Sequence, residues 1–143
     1  MTPKARAEAA AAAMWAGDAA SRWVGMELIG VDEGTATMAL TVAAHHANGH
    51  GICHGGVTFA LADSAFAFAC NSRNVATVAQ HNSITYLAPA KVGDRLVAVA
   101  TEVALAGRSG LTDVVVTVEG GAVVAQFRGA SRAIGGHLFE EGT

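Results

Sequence analysis

Apolar and polar positions change rhythm several times along the chain. Near the start, "KARAEAAAAAMWAG" is rich in alanine and lacks strand-like alternation, so it predicts a helix with Pro3 in its first turn, where a missing N–H costs nothing. Residues 26–31 and 35–42 flank "DEG" (Asp32, Glu33, Gly34), and Met38, Leu40 and Val42 alternate with threonines and alanine, which predicts a β-hairpin. A second helix is expected over about 56–73, opening on two glycines and closing near Asn71 to Asn74. From Val75 onward β-branched residues dominate. Four strands are expected there, at 75–87, 95–105, 111–119 and 122–134, parted by turns at "APAKVGD", "AGRSG" and "EGG".

The order is helix, two strands, one long helix, then four strands joined by connections short enough for antiparallel neighbours, an α+β arrangement. The long helix is apolar on all sides, and such a helix must be buried. With about six strands available, the economical solution is a curved antiparallel sheet wrapped around it. There are no internal repeats and no low-complexity linker. A length of 143 residues with 52% hydrophobic and 15% charged content suits one domain, 1–143, with residues 1–25 as an N-terminal helical segment.

Composition then narrows the function classes. A net charge of -3 provides no basic stripe for phosphate backbones, which argues against a nucleic-acid partner. Lys4 and Arg6 precede alanines as in a signal peptide, but Glu8 interrupts the run and alanine is only weakly hydrophobic. The longest apolar stretch, 57–70, contains Asp63 and Ser64 and falls short of the ~20 residues a membrane span needs. Cys53 and Cys70 form neither a CxxC pair nor a dense framework. A soluble cytoplasmic protein with free thiols is expected.

The chemistry concentrates in "NGHGICHGGVTFALADSAFAFACNS", residues 48–72. On helical spacing Asp63 shares a stripe with Phe59, Phe66 and Cys70, while Leu61, Ala65 and Phe68 cover the opposite side, so rotation does not obviously bring the carboxylate to water. A buried unpaired carboxylate is costly. It is a structural aspartate paired with an arginine or a backbone donor, an exposed spot on a helix less buried than its composition suggests, or a functional group. Gly55 and Gly56 favour function. They lie where the helix begins, where backbone N–H groups lack intrahelical partners and carry the positive end of the helix dipole, and a bare Cα lets a substrate oxygen approach. An oxyanion site and a carboxylate on one helix are the two parts that acyl transfer requires.

Two rival chemistries are weaker. His46, His50 and His54, with His45 and Cys53 nearby, suggest a metal site, but spacing by four makes a ligand face only on a helix, and Asn48, Gly49 and Gly51 oppose one there. No metal or other cofactor is expected. A serine hydrolase of the lipase type needs G-x-S-x-G, which is absent. Ser64 follows Asp63 directly and on a helix points about 100° away from it, so the two form no dyad. His81, in a strand, is expected to be a core or surface residue.

Together with "ITYLAPAKVGDRL" and "AQFRGASRAIGG", the 48–72 stretch closely resembles the hotdog-fold acyl-CoA thioesterases of the phenylacetic acid degradation subfamily. The resemblance spans roughly residues 19–136 and implies a long helix wrapped by an antiparallel sheet. It also implies roles: Asp63 as the catalytic carboxylate, Gly55 as the backbone donor to the thioester carbonyl, Asn48 as an orienting side chain and His54 as a brace for the loop. Relatives assemble as dimers with sheets joined edge to edge, often paired again into tetramers. One departure is Ala88 before Pro89, where relatives often carry arginine. Arg73, Lys91, Arg108 or Arg128 would then have to meet the CoA phosphates.

The expected function is hydrolysis of acyl-CoA, with aryl or phenylacetyl-type groups preferred, to free acid and CoA. Asp63 acts as nucleophile or as general base, and Gly56, Ser64, Arg73 and Arg108 are expected to contact substrate. The alternatives are an acyl-thioester dehydratase or hydratase, which would recruit a histidine such as His54, and a non-catalytic acyl-CoA sensor. Asp63 lies about 12 Å along the helix axis from Gly55, whereas a reacting carbonyl must sit within ~3.5 Å of both groups. One helix cannot meet both demands, so a second copy running antiparallel is expected to complete each site.

Overall fold

The structure, a computed structural model, describes residues 1–142. The N-terminal segment forms two helices. Thr2 starts α1 (Pro3–Gly17) by accepting the Ala5 N–H on its side chain at 3.0 Å. Asp18 then ends α1 and caps α2 (Ala19–Val24), accepting from the Ser21 N–H at 3.0 Å. The predicted hairpin follows as β1 (Glu27–Asp32) and β2 (Thr35–Thr41). A single 3-10 turn, Ala44–His46, and an irregular loop lead into α3 (Gly55–Cys70). The remaining chain is β3 (Thr77–Tyr86), β4 (Arg95–Ala106), β5 (Ser109–Val118) and β6 (Val123–Ala133).

These strands form one six-stranded sheet in the order β1-β2-β4-β5-β6-β3, antiparallel at every pairing. It curves around α3 as expected. Inward residues of the central strands, Met38, Leu40, Ala98, Val114, Val116 and Phe127, are buried against Leu61, Ala65, Phe66 and Phe68 of the helix. Gly129 of β6 makes one of these contacts possible, because a Cβ there would lie 2.7 Å from the Phe66 ring. Helix α1 closes the side by β1, burying Ala7, Ala10 and Ala11 and setting Trp15 6.2 Å from Phe68.

The structure corrects the sequence expectation in three places. The N-terminal segment breaks at Asp18 into two helices where one alanine-rich helix was expected. Helix α3 stops at Cys70 rather than near Arg73, because the Asn71 amide turns back: its Nδ2 donates to the Ala67 and Thr77 carbonyls and its Oδ1 accepts the Thr77 N–H. That exchange ends the helix and docks the start of β3. The helix is also not buried on all sides. Gly56 is exposed, and Ala60, Asp63, Ser64 and Ala67 are only partly covered. This outer face consists of small residues that bury little apolar area, so the alanine-rich composition overstates how enclosed the helix is.

Strand β3 is a sheet edge with one side unpaired over 10 residues. At the chain ends, Asn74 holds the backbone of Leu138 and Phe139, and Arg6 pairs with Glu141 at 3.0 Å. Among the described residues, no helix is long and apolar enough to cross a membrane.

Candidate active site

The loop before α3 is built around two side chains that bond to backbone. His46 is 5% exposed; its Nδ1 accepts the Ala43 N–H at 2.9 Å, which leaves Nε2 to donate to the Val24 carbonyl at 2.6 Å. Its own carbonyl accepts the His54 N–H at 2.8 Å. Asn48 Oδ1 accepts from the His50 and Ile52 N–H groups at 2.9 and 3.3 Å, closing a turn that Gly51 completes at φ 77. With its oxygen used in this way, Asn48 has its amide N–H groups free to face the neighbouring cleft. His46, His50 and His54 do not converge, and no group of three metal-binding side chains is found among the described residues.

His54 caps α3. Its Nδ1 accepts the Gly56 N–H at 2.8 Å, and its carbonyl accepts from Val57 at 2.9 Å and Thr58 at 3.3 Å. The Gly55 N–H has no partner among the described residues. It belongs to the same peptide group as the His54 carbonyl, so the bonds accepted there polarise it as a donor. The Gly55 carbonyl, in turn, accepts the Tyr86 hydroxyl at 2.7 Å. Burial holds the Tyr86 phenol above its ordinary pKa, so it remains a donor at neutral pH. These groups border a cleft of about 400 Å³ lined by Asn48, Gly55, Thr58, Tyr86, Ala88 and Val124 among others.

Asp63 opens into a different cleft, of about 290 Å³, which it shares with Asp18, Ser21, Met26, Ser64 and Ala67. Its Oδ1 accepts from Asn82 Nδ2 at 2.9 Å. Burial pushes its carboxyl above the usual range, and the Asn82 bond pulls it partly back. Ser64 is held away from it: the Ser64 hydroxyl lies 2.9 Å from the Ser21 hydroxyl, which donates to Asp18 Oδ2 at 2.7 Å. The structure therefore brings Asn48, His54, Gly55 and Gly56 together at one end of α3 and sets Asp63 with Ser64 farther along it.

The basic residues separate clearly. Arg73 lies beyond the far end of α3, 2.8 Å from Glu102 and 3.6 Å from Glu33. Arg128 makes a two-pronged pair with Asp113 at 2.6 and 2.8 Å. Arg108 is exposed on the β4–β5 turn, and Lys91 bridges Ile52 through its backbone beside the Gly55 cleft. Both cysteines are free thiols; Cys53 is raised by burial and Cys70 is pushed up to about 12, so neither offers a thiolate at neutral pH.

Two residues at the site escaped the sequence reading, Asn82 and Tyr86. The signal was present in the strand alternation, which places Asn82, Ile84 and Tyr86 on one face of β3.

The thioesterase superfamily pattern matches residues 50–125. The chain is 42% identical over 129 residues to the acyl-coenzyme A thioesterase PaaI of Escherichia coli K12, covering 90% of this chain and 92% of that one. The structure of the E. coli PaaI protein from the phenylacetic acid degradation operon superposes with a TM-score of 0.93 at 40% identity, covering 95% and 99% of the two chains. A Streptococcus mutans protein, smu.793, solved bound to acetyl CoA, superposes with a TM-score of 0.76 at 25% identity, covering 79% and 91%.

Proposed function

The chain belongs to the thioesterase superfamily, and on that premise we propose that it hydrolyses acyl-CoA to a free acid and CoA, with aryl or phenylacetyl-type acyl groups preferred. The observation that carries this reading is the Gly55 N–H, unpartnered among the described residues at the start of α3 where Gly55 lines a cleft, on a helix that also bears a half-buried carboxylate.

The thioester carbonyl oxygen accepts from the Gly55 N–H, with the Asn48 amide as a second donor and the α3 dipole favouring the developing negative charge. A single donor of this kind is worth about 2.7–4 kcal/mol in the transition state. Asp63 then either attacks the carbonyl carbon, giving a mixed anhydride that water opens, or takes a proton from water as the water attacks. In both routes the C–S bond breaks and CoA departs with the electron pair. His54 has its Nδ1 engaged by Gly56, so it is a brace and not a base. Of the four candidate cations, Lys91 beside the cleft and Arg108 on its exposed turn are the two not paired with a carboxylate among the described residues, and they are left to meet the CoA phosphates.

Each reacting centre draws on two copies of the chain. The open edge of β3 and the small outer residues of α3 suit a second copy that extends the sheet and lays its helix antiparallel to the first. Asp63 of one copy then reaches Gly55 and Asn48 of the other. Two free thiols fit a reducing, cytoplasmic setting. A panel of acyl-CoAs assayed for free thiol tests the hydrolysis: release from aryl substrates is expected. Dehydration without thiol release, or binding without turnover, overturns it.

A further inference from the structure

We propose that Asn82 is a positioning residue for the Asp63 carboxylate, holding one of its oxygens from the edge strand and leaving the other to the reaction. This rests on the reading of Asp63 as the reacting carboxylate. The Asn82 Nδ2 donates to Asp63 Oδ1 at 2.9 Å, and no other hydrogen bond to Asp63 is made among the described residues. Oδ2 therefore makes no hydrogen bond among the described residues, and Asp63 lines a cleft.

The placement is set by matching two periodicities. Tyr86 and Asn82 lie four residues apart on β3, about 13 Å at the strand rise. Gly55 and Asp63 lie eight apart on α3, about 12 Å at the helix rise. Tyr86 bonds to Gly55 and Asn82 to Asp63, so one strand registers both reacting centres along the helix. The same strand forms the open sheet edge.

A purely structural asparagine would satisfy both ends of its amide. Asn82 Oδ1 is buried without a partner among the described residues, so only the donor end is in use. That donor stabilises the charged carboxylate against the burial that opposes ionisation. The other polar or titratable groups around Asp63 are Asp18 and Ser21 from the α1–α2 segment and Ser64 on its own helix, with Cys70 two turns along. Among the described residues no cation contributes to its shift.

Two variants test this, Asn82→Leu and the isosteric Asn82→Asp, each measured by thermal melting, by the pH profile of kcat on an aryl acyl-CoA, and by carbon NMR titration of Asp63. Asn82→Leu is expected to melt somewhat lower than wild type at neutral pH, where the ionised carboxylate loses its donor, and no lower in acid, where the carboxyl is protonated and an orphaned oxygen has been removed. Its kcat should fall about 10- to 100-fold, the range for a hydrogen bond to a charged group, with KM little changed. Loss of the donor disfavours the ionised form, so the acidic limb and the Asp63 titration both move to higher pH. Asn82→Asp moves them further, because two carboxylates then face each other. A folded variant with unaltered kcat and unaltered Asp63 titration overturns the proposal. If wild type releases no thiol from any acyl-CoA, the hydrolase reading fails, and the NMR titration alone still decides whether Asn82 governs the carboxylate.

Discussion

Gly55 and Asp63 share helix α3 yet open into two different clefts, Gly55 beside Asn48 and Tyr86, Asp63 beside Asp18 and Ser64. On the proposed reading each is a half-site, and a second copy of the chain completes it. Asn48→Asp keeps the oxygen that closes the loop and removes the amide donor, so it disables one half-site with the loop intact. Mixed and refolded with Asp63→Asn, it should recover about a quarter of wild-type activity, since half of randomly paired dimers are mixed and each of those has one intact site. Recovery is read by thiol release after heterodimers are verified. Heterodimers without recovery would mean that each chain builds its site alone.

The Tyr86 ring packs on the bare Cα of Gly55, where a Cβ would meet Cζ and the hydroxyl at 3.1 Å. Gly55→Ala should therefore shift Tyr86 as well as crowd the oxyanion site, lowering kcat/KM and costing about 1–3 kcal/mol of stability from overpacking. Tyr86→Phe removes only the bond to the Gly55 carbonyl. It should reduce kcat by roughly 2- to 12-fold, the equivalent of one neutral hydrogen bond. Wild-type kinetics in a folded Gly55→Ala would place the oxyanion donor elsewhere.

Asp63→Asn should lower kcat by about two or more orders of magnitude while leaving substrate binding intact. Burial raises the Asp63 pKa above its unfolded value, so the native state binds the proton more tightly, and the stability this contributes in acid is lost as pH rises through the folded pKa. At neutral pH the ionised carboxylate thus weakens the fold. The amide variant should melt as high as wild type or higher at pH 7, with the difference vanishing in acid. A variant that melts far lower yet turns over normally per folded molecule would make Asp63 structural.

Gly129→Ala tests packing apart from chemistry. Its Cβ would press on the Phe66 ring at 2.7 Å, so denaturant unfolding should show a loss of about 1–3 kcal/mol with activity per folded molecule nearly unchanged. An unchanged midpoint would show that Phe66 moves aside freely.

Exhaustive chelation should leave turnover unchanged if, as proposed, the helix-terminus donor does the polarising that a metal would otherwise do. Loss of activity restored by added zinc would overturn that assignment.

The sequence by itself determined the order of the long helix and the six strands and the antiparallel sheet, and it singled out the glycines and carboxylate of the 48–72 stretch as candidates. Those depend on local signals: β-branched runs, turn residues, and a glycine pair opening a long apolar helix. Tertiary structure decided which face of α3 stays open, because alanine, glycine and serine suit either side of a helix, and only the sheet's larger side chains select the one that packs. It also decided where α3 ends, since Asn71 stops it by reaching Thr77 in the next strand. Arg73, a candidate for CoA phosphates in sequence, is drawn to Glu102, 29 residues away. Asn82 and Tyr86 lie 19 and 31 residues from Asp63 and Gly55, and they meet them only because the rise of an edge strand over four residues matches the rise of a helix over eight. That match depends on the register of β3 along α3, which no local pattern encodes.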